Sequence, residues 1–190
     1  MHQNFQYMEA LIFLTTGFEE IEALATIDIL NRGGVDIHSV SITGNNIVTG
    51  GHGICVIADY LFEEADFESA IMLIIPGGTL KFNEHDGLKR EILNFAEKGK
   101  AIAAICAAPM VFGELGLLKG KKATCYPGYE KYLIGADLTK MPVSVDGNIT
   151  TGRAAGDTFI FALELLSQLK GKETADEVAG KIIIAEQLNV

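Results

Sequence analysis

The stretch that decides the fold is Lys100-Ala-Ile-Ala-Ala-Ile-Cys-Ala-Ala-Pro-Met-Val-Phe-Gly-Glu-Leu-Gly-Leu-Leu118. Residues 101–105 are apolar throughout, which is typical of a strand buried on both faces of a sheet. Pro109 follows closely, and proline is tolerated in the first turn of a helix because its missing N–H would have no helical partner there. The stretch therefore predicts a buried strand, a sharp turn at Cys106 and a helix that starts at about Ala107.

The same alternation extends outward in both directions. Residues 9–15 and 71–75 are further apolar runs that predict buried strands, and residues 19–32 predict a helix with Ile21, Leu24, Ala25 and Ile29 on its buried stripe. Strands alternating with helices indicate an α/β fold, a flavodoxin-like doubly wound sandwich with a mostly parallel central sheet and helices on both faces. The remaining predicted elements are strands at 35–42, 53–58 and 122–125, a hairpin of 142–145 with 149–151, and helices at 86–98, 129–133, from about 156 to 169 and 174–187.

Composition limits the possible functions. The chain has 190 residues, enough for one ordinary domain, which we assign to residues 9–190 after a loose N-terminal leader at residues 1–8. The formal net charge of −10 argues against nucleic acid and against anionic membranes as partners. No apolar run approaches the roughly 20 residues that a membrane-spanning helix needs.

The three cysteines are Cys55, Cys106 and Cys125. Their odd number and wide spacing predict neither a disulfide framework nor a metal site, so we expect no metal and no cofactor. A reducing cytoplasm is the simplest location for such a chain. Cys55 and Cys125 lie in predicted strands and are expected to be buried and inert, with Cys125 the more probable exception.

Cys106 has two interpretations on the sequence alone. At a strand-to-helix turn the helix N–H groups would lower the thiol pKa, which favours a reactive nucleophile. Free cysteine is also one of the residues most often buried as a small hydrophobe. Gly77 and Gly78 form a turn whose N–H groups could face an oxyanion, and Glu22 by itself is interpreted as a solvated side chain.

Taken together, four segments resemble the DJ-1/PfpI family of the ThiJ/PfpI superfamily, and in particular its deglycase-like branch. They are Gly17-Phe-Glu-Glu-Ile-Glu22, Ile75-Pro-Gly-Gly78, Ala103-Ala-Ile-Cys-Ala-Ala-Pro109 and Thr151-Gly-Arg-Ala-Ala-Gly-Asp-Thr-Phe159. The resemblance covers about residues 9–187, and four motifs in one order are far more specific than any one of them.

The resemblance implies a homodimer with Cys106 as the nucleophile. It implies that Glu22 is a protonated carboxyl that hydrogen-bonds the sulfur, and that Gly78 and Ala107 present their N–H groups to the sulfur. Gly77, Tyr126, His52 and Arg153 are implied as possible pocket residues, with His52 at the position of a family arginine that reaches the pocket across the dimer. For His52 an exposed residue in a glycine-rich loop is the plainer interpretation, and for Arg153 an exposed arginine at a helix start.

The sequence also departs from the family pattern. Ala107 stands where protease-like members have histidine, so a Cys-His protease dyad is not expected. Tyr126 stands where the deglycase-like branch commonly has histidine, so the general acid or base would be Glu22, Tyr126, water or another histidine.

Two functions remain open. One is a reactive-carbonyl enzyme in which Cys106 attacks an aldehyde such as methylglyoxal and Glu22 shuttles protons. The other is a non-catalytic sensor or protective protein in which peroxide oxidises Cys106 to the sulfenate or sulfinate. The expected partners are thus small carbonyl compounds or peroxide.

Overall fold

The computed structural model describes residues 9–184, so the predicted leader at residues 1–8 and the end of the last predicted helix lie outside the described residues. The strands are β1 (Glu9–Leu14), β2 (Asp36–Ser41), β3 (Ile47–Thr49), β4 (Cys55–Ile57), β5 (Tyr60–Leu61), β6 (Ala70–Ile75), β7 (Ala101–Ile105), β8 (Lys122–Ala123), β9 (Asp137–Leu138), β10 (Val143–Asp146) and β11 (Ile149–Gly152). The α-helices are α1 (Glu20–Arg32), α2 (Asp86–Glu97), α3 (Pro109–Glu114), α4 (Thr158–Lys170) and α5 (Lys172–Lys181).

A seven-stranded sheet lies at the centre, in the order β10-β11-β7-β6-β1-β2-β5. Its strands run parallel except for β10, which pairs antiparallel with β11 in the predicted hairpin. Helix α1 packs against α4 and α4 against α5, whereas α2 packs against β7. The predicted α/β flavodoxin-like class is therefore confirmed. All six residues of β1 are buried, as expected for a strand covered on both faces.

Five short strands were assigned wrongly or missed, and one of them is β3, whose three residues lie between segments that predicted only turns. Within the predicted strand at 53–58 only β4 is a strand, and it forms a separate hairpin with β3 outside the main sheet. Within the predicted strand at 122–125 only β8 is a strand, and among the described residues it pairs only with β9. β5 and β9 were not predicted, because two residues are too few for an alternating pattern.

The buried face of α1 also differs from the predicted stripe. Ile21 is 53% exposed and Leu24 is exposed as well, whereas Glu22, Ala23 and Leu30 are buried. Apolar residues occur on nearly every side of this helix, so periodicity does not select one face. The packing of α1 against α4 and the sheet selects it, and this turns Glu22 inward.

No helix among residues 9–184 is both long enough and apolar enough to cross a membrane.

Candidate active site

Cys106 lies at a tight bend directly after β7, at the carboxyl end of the central strands. Its φ is +66°, a conformation that non-glycine residues rarely adopt. The bend is fixed on both sides, because the Cys106 N–H donates to the Gly152 carbonyl at 3.0 Å and the Cys106 carbonyl accepts from the Tyr126 N–H at 2.8 Å. Strain held in this way aims the thiol away from the strand. The helix α3 starts at Pro109, two residues later than predicted.

Glu22 lies against this thiol, and its exposure is 0%. Its Oε2 accepts a hydrogen bond from the Gly77 N–H at 2.7 Å. Its Oε1 is buried without an N–H or O–H donor among the described residues, and the Cys106 thiol is the neighbouring polar group of this carboxyl. The sequence-based interpretation of Glu22 as a solvated side chain is therefore wrong.

Gly77 allows the acid and the thiol to approach each other. A Cβ at position 77 would lie 2.7 Å from the Cys106 Cβ, 2.8 Å from Glu22 Oε2 and 3.1 Å from the Cys106 sulfur. Real Cβ atoms do not tolerate such distances, so only glycine fits without displacing the pair. Gly78, with φ of +90°, turns the chain beside Cys106, and the backbone N–H groups of Ala107 and Gly78 act to lower the pKa of the Cys106 thiol.

The carboxyl and the thiol both hold their protons more tightly than in water. Burial raises the pKa of Glu22 to about 7, against the opposing Gly77 hydrogen bond. Burial, followed by the charge of Glu22, raises the pKa of the Cys106 thiol to about 12. The predicted lowering of the thiol pKa is thus wrong, because burial and the adjacent carboxylate outweigh the N–H groups of Gly78 and Ala107.

The two groups titrate as a coupled pair. A carboxylate beside a thiolate is disfavoured, so the thiolate forms mainly when Glu22 holds the proton. In that state the repulsive charge of Glu22 is absent and the two N–H groups stabilise the sulfur anion. Because the pKa is about 7 for Glu22 and about 12 for Cys106, the shared proton lies mainly on the sulfur, and the form with a thiolate and a carboxylic acid is the minor tautomer of the pair.

A cavity of about 490 Å³ opens over the sulfur. Of the predicted site residues, Cys106, Ala107, Gly78 and Tyr126 line it. Its remaining lining residues were not predicted, and they are Thr79, Leu80, Lys81, Glu84 and Tyr129. A usable signal did exist, because residues 79–84 directly follow β6 and ligands bind outside the carboxyl ends of parallel strands.

His52 and Arg153 do not line this cavity. The His52 Nδ1 lies 2.8 Å from Glu20 Oε2, and the His52 N–H donates to Glu20 Oε1 at 2.7 Å. Arg153 forms a bidentate pair with Asp157 at 2.8 and 3.0 Å. Both side chains therefore contact carboxylates of their own surroundings rather than the space above Cys106.

Glu19, Glu20 and His52 form one group in which the atoms able to coordinate a metal ion lie within 4.8 Å of one another. The contacts between His52 and Glu20 already account for this arrangement.

The two other cysteines differ from each other. Cys125 is buried, as predicted, and burial raises its pKa to about 12. Cys55 is exposed, which contradicts the prediction, because β4 lies in the separate hairpin rather than in the central sheet.

Comparisons with known proteins identify the family of the chain. The model of the DJ-1/PfpI family matches residues 8–168. A protein of Arabidopsis thaliana named Protein DJ-1 homolog B is 38% identical over 183 residues, covering 93% of this chain and 41% of that protein. The chain thus spans about two fifths of that relative's length. A protein of Pyrococcus abyssi named as a deglycase is 31% identical, covering 86% of this chain and 100% of that protein.

Among solved structures, oxidized DJ-1 of Toxoplasma gondii has a TM-score of 0.89 and 32% identity, covering 94% of this chain and 99% of that chain.

Proposed function

The chain belongs to the DJ-1/PfpI family, and from that premise we propose that it is a cysteine-dependent enzyme that converts reactive carbonyl compounds to hydroxy acids. The observation that carries the proposal is the buried carboxyl of Glu22 against the thiol of Cys106, beneath an open cavity. A nucleophile and a proton carrier in contact are what addition to a carbonyl requires.

In the proposed reaction the Cys106 sulfur bonds to the aldehyde carbon of a 2-oxoaldehyde such as methylglyoxal. The carbonyl electron pair moves to the aldehyde oxygen, which takes the proton held by Glu22, and a hemithioacetal forms. The N–H groups of Ala107 and Gly78, which act to lower the pKa of the Cys106 thiol, stabilise the thiolate before the attack in this proposal.

The Glu22 carboxylate then removes the hydrogen from the former aldehyde carbon. This hydrogen returns as a proton to the neighbouring carbon, while the hydroxyl proton on the first carbon passes to the oxygen of the second. The product is a 2-hydroxyacyl thioester in which the first carbon is oxidised and the second is reduced. Water attacks the thioester, the thiolate leaves, and Glu22 takes the proton from the water. The sum is one aldehyde and one water converted to one hydroxy acid.

The first experiment measures lactate formed from methylglyoxal by the wild-type protein, Cys106→Ser and Glu22→Gln. The proposal requires many turnovers by the wild type, and loss of turnover in both variants. Lactate below one equivalent per protein molecule contradicts it.

A redox function is the second candidate, because the same N–H groups and a protonated Glu22 are donors that would hold the oxygens of a sulfinate. One similar solved structure is described as oxidized DJ-1. In this case one peroxide molecule oxidises Cys106 to the sulfenate and a second oxidises the sulfenate to the sulfinate, each peroxide giving one oxygen atom and leaving as water, and no turnover follows. Mass spectrometry after peroxide treatment, combined with absence of lactate formation, would identify this function.

We also propose that the protein is a homodimer in a reducing cytoplasm. Exposed apolar side chains lie on the outer face of α1 and on the neighbouring β3–β4 hairpin, namely Ile21, Leu24, Ile47, Ile54 and Ile57. A second copy of the chain would cover this surface, since large exposed apolar patches often mark protein–protein interfaces. Sedimentation of Ile21→Glu tests it: the variant sediments as a monomer if α1 lies in the interface.

A further inference from the structure

The cavity over Cys106 is larger than a small 2-oxoaldehyde needs. Its volume of about 490 Å³ lies in the range of sites that enclose most of a drug-sized ligand. Methylglyoxal bound at the sulfur carries only a methyl group on its ketone carbon, and this group would leave most of the space to water. The walls of the cavity therefore indicate which larger group the ketone carbon carries.

Two tyrosines form one wall of this space. Tyr126 and Tyr129 both line the cavity, and their ring centroids lie 6.4 Å apart with the ring planes at 74° to each other. Tyr126 is 46% exposed, so a ligand can still cover much of this side chain. A flat ring placed against the pair meets the face of one tyrosine and the edge of the other, and both contacts are favourable between aromatic groups.

Backbone hydrogen bonds fix this wall beside the nucleophile. The Tyr126 N–H donates to the Cys106 carbonyl at 2.8 Å, and the Tyr129 N–H donates to the Tyr126 carbonyl at 3.1 Å. The Tyr129 ring also packs on Tyr132 at a centroid distance of 5.9 Å. Because these contacts hold both the main chain and a ring, the wall has a defined position next to the residue that carries the sulfur.

An apolar side chain from a different segment lines the same space. Leu80 lies on the segment that follows β6, and it is exposed. The charged lining residues are Lys81 and Glu84, and both of them also line a smaller neighbouring cavity of about 190 Å³, so they lie where the two cavities meet. Leu80 and the two tyrosines do not line that smaller cavity. The uncharged part of the cavity over the sulfur is therefore formed largely by apolar and aromatic side chains.

We propose that the cavity over Cys106 selects 2-oxoaldehydes whose ketone carbon carries an aromatic ring, such as phenylglyoxal. This inference rests on the proposed function of Cys106 and names the substituent of its carbonyl substrate. The sulfur bonds to the aldehyde carbon, and the ring lies against Tyr126, Tyr129 and Leu80. The steps are those given for methylglyoxal, so one phenylglyoxal and one water give one mandelate.

An aromatic ring fits this wall better than a saturated ring of similar size. Either ring buries apolar surface against Leu80, and this contribution is similar for the two. Only the aromatic ring has the flat face and the electropositive edge that pair with the rings of Tyr126 and Tyr129. A comparison of phenyl with cyclohexyl compounds therefore separates aromatic recognition from the burial of apolar surface.

The test is protection of Cys106 from alkylation by iodoacetamide, followed by peptide mass spectrometry. The probe is phenyl-1,2-ethanediol, which has the substrate's ring and carbon chain but no reactive carbonyl. Its matched controls are cyclohexyl-1,2-ethanediol and 1,2-propanediol. We expect half-protection by the phenyl diol at a concentration at least about tenfold lower than by propanediol, because more apolar surface is buried. The concentration should be about threefold lower than for the cyclohexyl diol, because of the ring contacts.

Variants assign the preference to the tyrosines. In Tyr126→Leu and in Tyr129→Leu the advantage of the phenyl diol over the cyclohexyl diol should shrink, while its advantage over propanediol persists, because leucine keeps the wall apolar. Tyr126→Phe should keep both advantages, which shows that the ring and not the hydroxyl is recognised. Tyr60→Leu is the control, since Tyr60 lies in β5 and does not line the cavity. Equal protection by the phenyl and cyclohexyl diols in the wild type, or a preference unchanged in both leucine variants at the cavity, overturns the proposal.

Turnover gives a second readout. The ratio of kcat/KM for phenylglyoxal to that for methylglyoxal should fall about threefold in Tyr126→Leu, because the different reactivities of the two aldehydes cancel between wild type and variant. A ratio that does not fall contradicts a role of the ring in selecting the substrate.

Protection of Cys106 needs no turnover. A wild type that forms neither lactate nor mandelate but prefers the phenyl diol refutes the proposed reaction and retains the aromatic subsite. A wild type that forms lactate from methylglyoxal and shows no preference for the phenyl diol refutes the subsite alone.

Discussion

Glu22 and Glu9 are two buried glutamates at opposite ends of the same sheet, and they have different surroundings. Burial is the largest cause of a raised pKa in both. Each also has one carboxyl oxygen without a hydrogen-bond partner among residues 9–184. Glu22, at the carboxyl end, touches a thiol beneath a cavity, whereas Glu9, at the amino end, lies near His38 and Ser69.

The difference shows what turns a buried carboxyl into a reactive one. His38 and Ser69 oppose the rise in the pKa of Glu9, and no cysteine thiol is among the groups that affect the pKa of this carboxyl. At Glu22 the neighbour is an acid that competes for the same proton, and substrate can enter from above. Burial alone raises the pKa of a carboxyl. The proton of that carboxyl can take part in a reaction only where the carboxyl contacts a nucleophile.

The largest expected difference between the two carboxyls is in catalysis. Glu22→Gln should lower lactate formation from methylglyoxal by about a hundredfold or more, since proton transfer by a positioned group contributes that much. Glu9→Gln should leave the rate within about twofold of the wild type, because Glu9 lies outside the cavity over Cys106 and does not touch the sulfur. Steady-state kinetics of the two isosteric variants measure this, and equal losses would contradict the distinction.

The second difference is in the pH dependence of stability. The folded-state pKa of Glu22 is raised from 4.5 to about 7, so the folded state binds more protons than the unfolded state between these values. Stability must therefore fall as the pH rises through this window, by about 3 kcal/mol at the upper end.

Urea unfolding of the wild type and Glu22→Gln at pH 5 and pH 8 measures this fall. Glu22→Gln should lose the portion due to Glu22, whereas Glu9→Gln should remove a smaller portion of the same sign, because His38 and Ser69 oppose the shift there. A pH dependence unchanged by Glu22→Gln would exclude a raised pKa at this site.

The third prediction concerns the close approach that the site at Glu22 requires. Gly77→Ala should destabilise the protein by about 2 kcal/mol and lower turnover, because the new methyl group displaces Cys106 or Glu22. Gly156→Ala is the matched control, since a Cβ there meets nothing within 4 Å. Urea denaturation and lactate assays compare them, and a fully active Gly77→Ala would show that the close contact is dispensable.

The smallest expected effect is on thiol reactivity, and it has the opposite sign to the effect on turnover. Glu22→Gln removes the negative charge that raises the thiol pKa of Cys106, so alkylation of Cys106 at pH 7.5 should become about tenfold faster. Iodoacetamide labelling resolved by peptide mass spectrometry measures it, with exposed Cys55 and buried Cys125 as internal references. A slower reaction would mean that Glu22 activates the thiol as a base instead.

Much of the fold was accessible from the sequence because its signals are local. The apolar run before Cys106, the proline after it and the hairpin at residues 143–152 each depend on a few neighbouring residues. Four ordered motifs also identified the family, and with it the residues around the sulfur. The short strands β5 and β9 were not predicted, because two residues are too few to show a periodic pattern.

The sequence by itself determined the alternation of strands and helices and the bend that holds Cys106, since both follow from residues adjacent in the chain. The inward position of Glu22 was implied by the family resemblance but not by its neighbours in the chain. Tertiary structure alone decided that Tyr129 and Lys81 line the cavity and that the thiol pKa rises. The hydrogen bond between Gly77 and Glu22 joins residues 55 positions apart. Segments far apart in the chain bury Cys106 and place a charge beside it. A local sequence pattern therefore cannot predict that water is excluded from this site.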